Sequence, residues 1–220
     1  MNSVLNQIVN RVGNSYDKAA KGAGSRFQRF STRDLVYVAV MAAIWAASEN
    51  ILGAQLHAMN VPFSGAALAA IAVFLMVTCR SLVPKVGSVL IMGIVVALLR
   101  IFAIGAVLLS PMIAIFMEAL MVEIAMTVGG ANQVASLIGG MLAEMWTFVH
   151  PFVVQPLLFG TSMLIIYGKT ISAGSKMLGI APSNVIIVFL VLVVVHAVAG
   201  VIAGVAGWRF SARAKRILSR

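Results

Sequence analysis

Runs of apolar residues separated by short polar stretches follow one another along the chain between residues 34 and 208. The run at 185–195 is continuously apolar and does not alternate, a pattern that excludes the strands of an outer-membrane barrel. A helix needs about 20 such residues to cross a hydrocarbon layer roughly 30 Å thick. The pattern therefore predicts an all-α integral membrane protein, a bundle of six transmembrane helices at approximately 34–53, 65–79, 86–107, 111–128, 133–150 and 184–208.

Polar residues at the ends of these runs predict where the membrane domain, residues 31–209, begins and where it is interrupted. Ser31 or Thr32 can cap the first helix, and Asp34 lies in its first turn. Residues 151–182 combine apolar side chains with helix-breaking proline and glycine. We expect an outer loop or a re-entrant segment there.

Lysine and arginine are distributed unevenly between the two sides of the predicted bundle. Thirteen of the 16 lie on one side, namely six up to Arg33, two in the turn at Arg80 and Lys85, and five from Arg209 onward. Because such residues concentrate in short cytoplasmic segments, both termini are expected to be cytoplasmic. Residues 1–30 then form a basic N-terminal segment and 210–220 a basic tail, whereas a seventh crossing through 152–167 would place this tail outside.

The composition agrees with a membrane protein and limits what else the chain can be. Of its 220 residues 61% are hydrophobic and only 10% are charged, and the mean hydropathy is +1.04, which leaves no room for a large soluble domain. The net charge of +10 comes from residues beside hydrophobic segments, where topology and anionic lipid account for it better than nucleic acid does. We therefore expect a multi-pass protein of the cell membrane that contacts the lipid bilayer and no nucleic acid. The one cysteine, Cys79, excludes an internal disulfide.

Four glutamates fall inside predicted helices: Glu49, Glu118, Glu123 and Glu144. Holding an ionised side chain near the middle of the bilayer costs roughly 2.5 to 3.5 kcal/mol, so such residues usually face a cavity, a partner or a functional site. The alternative is that they are protonated and bonded between helices, or lie near the interface. Glu123, which is closer to the inner face, fits that alternative better than the others.

Aromatic side chains accompany two polar ones at helical spacing. Trp45 and Glu49 are four residues apart on one face of the first helix, and Trp146 and His150 are four apart on the fifth. Both pairs approach the outer ends of their helices, beneath the polar loop expected at 54–64. An outward-facing pocket follows, and its predicted substrate-binding residues are Trp45, Glu49, Glu118, Glu144, Trp146 and His150. Packing against lipid or the protein core is the alternative for both tryptophans.

The charge balance of this pocket predicts the kind of solute. Arg100 is the only plausible basic partner on the outer side, so several carboxylates lack a protein cation. A positively charged or amine-bearing solute would supply the missing charge, and the aromatic rings would add cation–π attraction of roughly 0.5 to 2 kcal/mol. A transition metal is an alternative ligand, held by His57, His150, Glu49 and Glu144. No HxH or HExxH spacing supports it, so we predict neither a metal site nor a cofactor.

Small residues recur at helical spacing on two helices. Such faces let helices approach closely in lipid, either within one chain or between chains. The face on the first helix consists of Ala39, Ala43, Ala46, Asn50 and Gly53. The last helix has a comparable face, expected to pack internally, in His196, Gly200, Ala203, Gly204 and Gly207.

Motifs of several enzyme classes are missing from the sequence. It has no pair of intramembrane aspartates, no HExxH and no GxSxG, and Gly168-Lys169-Thr170 lacks the glycine that a phosphate loop needs five residues earlier. We therefore expect no enzyme. A chain with a solute pocket but no ATP site must act passively, use an ion gradient or borrow energy from other subunits.

These features resemble the substrate-binding S component of energy-coupling factor (ECF) transporters over residues 31–209. The resemblance rests on the size, the six helices and four stretches, namely the basic entry STRDL at 31–35, the alanine-rich VAVMAAI at 38–44, the turn at 80–87, and FMEA at 116–119 with Glu123. The segments 118–130 and 139–144 are similar to the YkoE-like subgroup, which is associated with hydroxymethylpyrimidine or thiamine.

The resemblance implies a small subunit that captures a vitamin or its precursor at the outer face and docks on a transmembrane coupling subunit carrying two ATPases. In that family an Ala-xxx-Ala face of the first helix is the docking surface, which maps here onto Ala39, Ala43 and Ala47. Two other functions stay open beside it: a stand-alone secondary transporter coupled to protons through the same glutamates, and a small intramembrane enzyme or assembly factor. A subunit of a transition-metal importer is a further alternative.

Overall fold

The computed structural model describes residues 29–59, 61, 63–102 and 109–218, and within these ranges all regular structure is helical. A π-helical turn, Ser48–Leu52, joins the first two helices, and a 3₁₀ turn, Arg100–Phe102, follows the fourth. The helices are α1 (Thr32–Ala47), α2 (Gly53–Ala58), α3 (Ser64–Leu82), α4 (Ser88–Leu99), α5 (Leu109–Val128), α6 (Gln133–Phe159), α7 (Met163–Leu178) and α8 (Val185–Leu218).

Five helical stretches are long and apolar enough to cross a membrane: Thr32–Leu56, α3, α5, α6 and α8. The fourth helix is also apolar, but its 12 residues extend only about 18 Å. This confirms the prediction of an all-α chain suited to a membrane. The count of six crossings and the cytoplasmic position of both termini stay predictions.

The start of α1 follows the expected capping chemistry. The Ser31 hydroxyl accepts a hydrogen bond from the Asp34 backbone N–H at 3.2 Å, and the Asp34 carboxylate accepts one from the Ser31 N–H at 2.8 Å. This reciprocal capping box satisfies two N–H groups that the helix itself cannot. Lys85, in the connection between α3 and α4, adds an ion pair of 2.6 Å to Asp34. Of the two candidate caps, Ser31 is the one used.

Residues 151–182, for which the sequence predicts an outer loop or a re-entrant segment, are mostly helical. The helix expected to end at His150 continues as α6 through Pro151 and Pro156 to Phe159, and α7 occupies most of the remainder. Each proline removes one helical hydrogen bond, but in a membrane helix neighbouring helices and side chains can compensate for that loss. The helix ends instead at Gly160, whose φ of 61° is the left-handed conformation that glycine adopts readily. A re-entrant position in the bilayer stays a prediction.

Three further helix ends differ from the sequence prediction. Helical structure continues past residue 53 to Ala58, so the first part of the expected loop at 54–64 is helical. The fourth helix ends at Leu99 and turns into the 3₁₀ turn, and residues 103–108 lie outside the described part. The last helix runs to Leu218, so the basic tail is a helical extension of α8 up to that residue. Residues 1–28 of the expected N-terminal segment also lie outside the described part.

Glycines of α8 bring its backbone into direct contact with α6 and α3. A Cβ placed on Gly200 would lie 2.3 Å from the Gly140 carbonyl oxygen, and one on Gly204 would lie 2.3 Å from that of Ser136. On the side of α3, a Cβ on Gly207 would lie 2.6 Å from the Phe74 carbonyl oxygen. Separations this short leave no room for a side chain. The internal packing predicted for the small residues of the last helix is confirmed.

Replacing Gly200 with alanine is therefore expected to lower the thermal unfolding temperature of the purified protein clearly. The added methyl group would meet backbone, which cannot rotate away as a side chain can, and such overpacking typically costs about 1–3 kcal/mol. Gly168→Ala is the matched control, because a Cβ there meets nothing within 4 Å. An equal effect of both substitutions on unfolding in detergent would contradict the close contact between α6 and α8.

Candidate binding site between the helices

Glu118, on α5, is held in the interior by a side chain of α6. It is 4% exposed, and its Oε1 accepts a hydrogen bond of 2.8 Å from the Thr147 hydroxyl. The Thr147 hydroxyl also lies 3.1 Å from the Ala143 carbonyl oxygen, so its position is fixed from two sides. A carboxyl group that is buried and held in one orientation can serve as a binding group.

Glu144, one turn before Thr147 on α6, is fully buried. Among the described residues, neither of its carboxyl oxygens has a hydrogen-bond partner. An ionised carboxylate left without partners in an apolar interior is strongly unfavourable. Glu144 therefore requires a proton or a cation that the described part of the chain does not supply.

Glu49 reaches the same region from the π-helical turn. Its Oε1 lies 3.4 Å from the Trp45 indole Nε1, which donates to it, and Trp45 is fully buried. Glu49 and Glu144 are both close enough to repel the charge of Glu118. Three carboxyl groups, from the π-helical turn, α5 and α6, are thus near enough to act on one another electrostatically. Their role in solute binding stays a prediction.

Arg100 reinforces the π-helical turn. Within this turn the Gly53 N–H bonds to the Ser48 carbonyl, five residues back instead of four. The Glu49 carbonyl accepts a hydrogen bond from Arg100 Nη1 at 3.1 Å, and the Asn50 side-chain oxygen accepts one from the same atom at 2.8 Å. π-helical turns often occur at functional sites, and this one sets the direction of Glu49.

Trp146 and His150 form a pair of their own further along α6. Their rings meet edge to face with centroids 5.9 Å apart, and His150 Nε2 lies 3.0 Å from the Ser110 carbonyl oxygen. The Trp146 indole Nε1 is buried and has no hydrogen-bond partner among the described residues. The expected pairing of the two rings is present. In the described part of the chain the two rings contact each other, and His150 also contacts Ser110.

Glu123 belongs to a different cluster and has a structural role. Its carboxylate accepts hydrogen bonds from the backbone N–H groups of Gly87 at 2.8 Å and Val89 at 2.9 Å, and so caps the start of α4. Thr127 donates to the same carboxylate at 2.9 Å, and Arg80 Nε lies 3.5 Å from it in a buried ion pair. This supports the alternative interpretation given above for Glu123, a group bonded between helices.

The alanines expected to form a docking surface lie on the outside of α1. Ala39, Ala43 and Ala47 are exposed, whereas Ala46 and Gly53, which belong to the neighbouring small-residue face, are buried. Large apolar neighbours such as Val40 and Ile44 are also exposed, with 49% and 46% of their surfaces accessible. The exposed alanine face is thus not used for packing within the described part of the chain.

Two contributors to the site were missed by sequence reasoning. Thr147 was not singled out, although its place three residues after Glu144 on a helix is a usable signal. Asn50 was assigned to the small-residue face, and its contact with Arg100 joins residues 50 apart in sequence.

The part of the chain that the structure describes contains no group of three or more potential metal ligands. The side chain of His57 lies outside that part.

Comparison with protein-family models, with curated proteins and with solved structures finds no match to this chain.

Proposed function

We propose that this chain is the substrate-capture subunit of an ECF-type importer, with no catalytic activity of its own. It would bind a small cationic or amine-bearing solute, such as thiamine or its pyrimidine precursor, at the outer face. It would then deliver the solute by docking on a transmembrane coupling subunit that carries two ATPases. The observation that carries the proposal is Glu144, a fully buried carboxyl group without a partner among the described residues, beside Glu118.

Binding would use the three carboxyl groups in concert. A cation entering between α1, α5 and α6 reduces the repulsion between Glu49, Glu118 and Glu144 and supplies the partner that Glu144 lacks. The Thr147 hydroxyl holds Glu118 in place before the solute arrives, which reduces the entropy lost on binding. The indole of Trp45 offers an aromatic wall beside Glu49. An aminopyrimidine, which combines a planar ring with N–H donors, suits these groups.

A stand-alone transporter coupled to protons is the second candidate. The same carboxyl groups favour it, because a buried group that lacks a cation can hold a proton and exchange it for the solute. The two candidates differ in where the energy for uptake comes from. A capture subunit binds its solute alone but needs coupling and ATPase subunits for sustained uptake.

Binding and uptake measurements on the purified protein distinguish these two functions. Native mass spectrometry of the chain would first identify a co-purified small molecule, which is then titrated into solute-free protein. We expect tight binding by the isolated chain and no accumulation in liposomes that hold the chain alone under a proton gradient. Accumulation driven by that gradient would contradict the capture-subunit proposal and favour the second candidate.

The exposed alanine face gives a separate test of docking. We expect Ala43→Trp to abolish uptake in cells that contain the whole transporter while solute binding in detergent stays nearly unchanged. A large ring at the centre of a small-residue face prevents another helix from approaching. The control is Val194→Trp at an exposed apolar position on α8. Equal loss of binding and uptake for Ala43→Trp would indicate that this face packs within the chain instead.

A further inference from the structure

A cavity of about 330 Å³ opens where the start of α1 meets the ends of α3 and α8. None of its lining residues belongs to the carboxyl cluster, and the inference does not depend on the proposed function. Its lining residues combine cationic, phenolic and apolar side chains: Arg33, Asp34, Tyr37, Leu82, Lys215 and Leu218. A cavity of this size accommodates a small polar group.

The charge of this cavity is positive even though an aspartate lines it. Asp34 is already paired with Lys85 Nζ at 2.6 Å, and the same carboxylate oxygen accepts a hydrogen bond from the Ser31 hydroxyl at 2.7 Å. Arg33 and Lys215 form no ion pair with any carboxylate in the described part of the chain. Asp34 also attracts Arg33, but this one carboxylate is shared with Lys85, so among the described residues the positive charges at the cavity outnumber the negative one.

Tyr37 holds one of these cations over the cavity. The Arg33 Nη2 group donates to the Tyr37 hydroxyl at 3.2 Å, and the guanidinium carbon lies 5.5 Å from the centre of the tyrosine ring. These contacts orient the guanidinium, and toward the described residues it uses one of its five N–H donors for a hydrogen bond. The remaining donors suit an oxyanion, and the fork of a guanidinium matches the oxygens of a phosphate group.

The length of α8 places this cavity at the level of lipid headgroups. A helix of 34 residues extends about 51 Å, well beyond a hydrocarbon layer about 30 Å thick. Its N-terminal part is apolar, whereas its last ten residues, 209–218, carry four of the basic residues. The basic end therefore emerges from the hydrocarbon layer, and Leu82 and Leu218 give the cavity an apolar side.

We infer that this cavity binds the phosphate headgroup of an anionic glycerophospholipid through Arg33 and Lys215. The phosphodiester accepts hydrogen bonds from the guanidinium and the ammonium, while the lipid's apolar chains remain in the bilayer. Basic pockets at membrane surfaces recognise anionic headgroups in this way, and the surrounding bilayer supplies the lipid at high local concentration.

Titration of the full chain in maltoside micelles with dioleoylphosphatidylglycerol, followed by native mass spectrometry, tests the inference. We expect the lipid to bind more tightly than dioleoylphosphatidylcholine, and the double variant Arg33→Gln/Lys215→Gln to weaken that binding by about 10- to 30-fold. The matched control is Arg209→Gln/Arg213→Gln, which also removes two positive charges, both from the basic end of α8, without altering the cavity lining. This control is expected to leave the affinity nearly unchanged, because neither side chain lines the cavity.

Three outcomes would overturn the inference. The first is equal binding of the two lipids. The second is an equal loss of lipid binding in both double variants, which would indicate that the lipid is attracted to the basic end as a whole and not to the cavity. The third is displacement of the lipid by inorganic phosphate at matching concentration, which would make a free phosphate compound the ligand. Should the double variant fail to fold, Tyr37→Phe serves instead. This variant is expected to weaken lipid binding by about threefold, because the Tyr37 hydroxyl no longer holds Arg33.

Discussion

Replacing Glu118 with glutamine is expected to weaken the binding of the cationic solute by about 10- to 100-fold while leaving thermal stability nearly unchanged. The substitution removes one negative charge but keeps the size of the side chain and an oxygen that can accept from Thr147. A hydrogen bond to a charged group contributes roughly 1.5–3 kcal/mol, which sets the size of the expected loss. A neutral amide is also less costly to bury than an ionised carboxylate, so folding should not suffer.

Two control variants make this result specific. Thr147→Val keeps the charge of Glu118 but removes the hydroxyl that orients it, so a smaller loss of affinity is expected. Asp34→Asn removes a carboxylate at the basic end of the bundle, far from the site, and should leave the affinity as it is. Titrations would use the solute identified in the native protein, with tryptophan fluorescence as the signal. Unaltered affinity of Glu118→Gln would remove this residue from the binding site.

The largest expected effect on stability comes from Glu123→Ala. This change leaves Arg80 charged and buried without its partner, and it also removes the acceptor for the backbone N–H groups of Gly87 and Val89. Breaking a buried ion pair from one side typically costs about 3–5 kcal/mol. The thermal unfolding temperature in detergent should therefore fall sharply, and the yield of folded protein with it.

The more accessible ion pair at the start of α1 provides the comparison for Glu123. Asp34→Asn breaks the pair with Lys85, in which both side chains are 18% exposed, and it keeps an oxygen for the capping box. Ion pairs open to solvent contribute about 1 kcal/mol or less. The double variant Arg80→Met/Glu123→Met should recover part of the loss, since no charge is then left unpaired. A loss for Glu123→Ala no larger than that for Asp34→Asn would show that the buried pair is not needed.

The apolar runs predicted the helices well because hydrocarbon allows few other structures to span it. The ends were less predictable, and Pro151 shows why: in a soluble helix it would mark a boundary, but within the bundle α6 continues past it. The glycine face of α8 was recognisable from spacing alone. Its internal packing follows from the rule that small residues allow close helix packing, whereas the partner position, Gly140, is known only from the structure.

The candidate site was predictable only where its parts lie on one helix. The pairing of Trp45 with Glu49 follows directly from a separation of four residues. The contact between Glu118 and Thr147 depends on how α5 and α6 are rotated against each other, which no local pattern encodes. The position of Glu123 near the inner face indicated a structural role, but its partners were not predictable, because two of them are backbone N–H groups 34 and 36 residues away.

The π-helical turn at Ser48–Leu52 has a consequence for how this chain tolerates changes in length. Such a turn accommodates one residue more than an α-helical turn, so it behaves as a single-residue insertion in an otherwise regular helix. Deleting one residue here would restore the α-helical repeat without rotating the flanking helices against each other, because the wide turn already holds the extra residue. Deleting Asn50 would also remove the side-chain acceptor of Arg100, and the sequence alignment of a shorter homologue would place its gap at this turn.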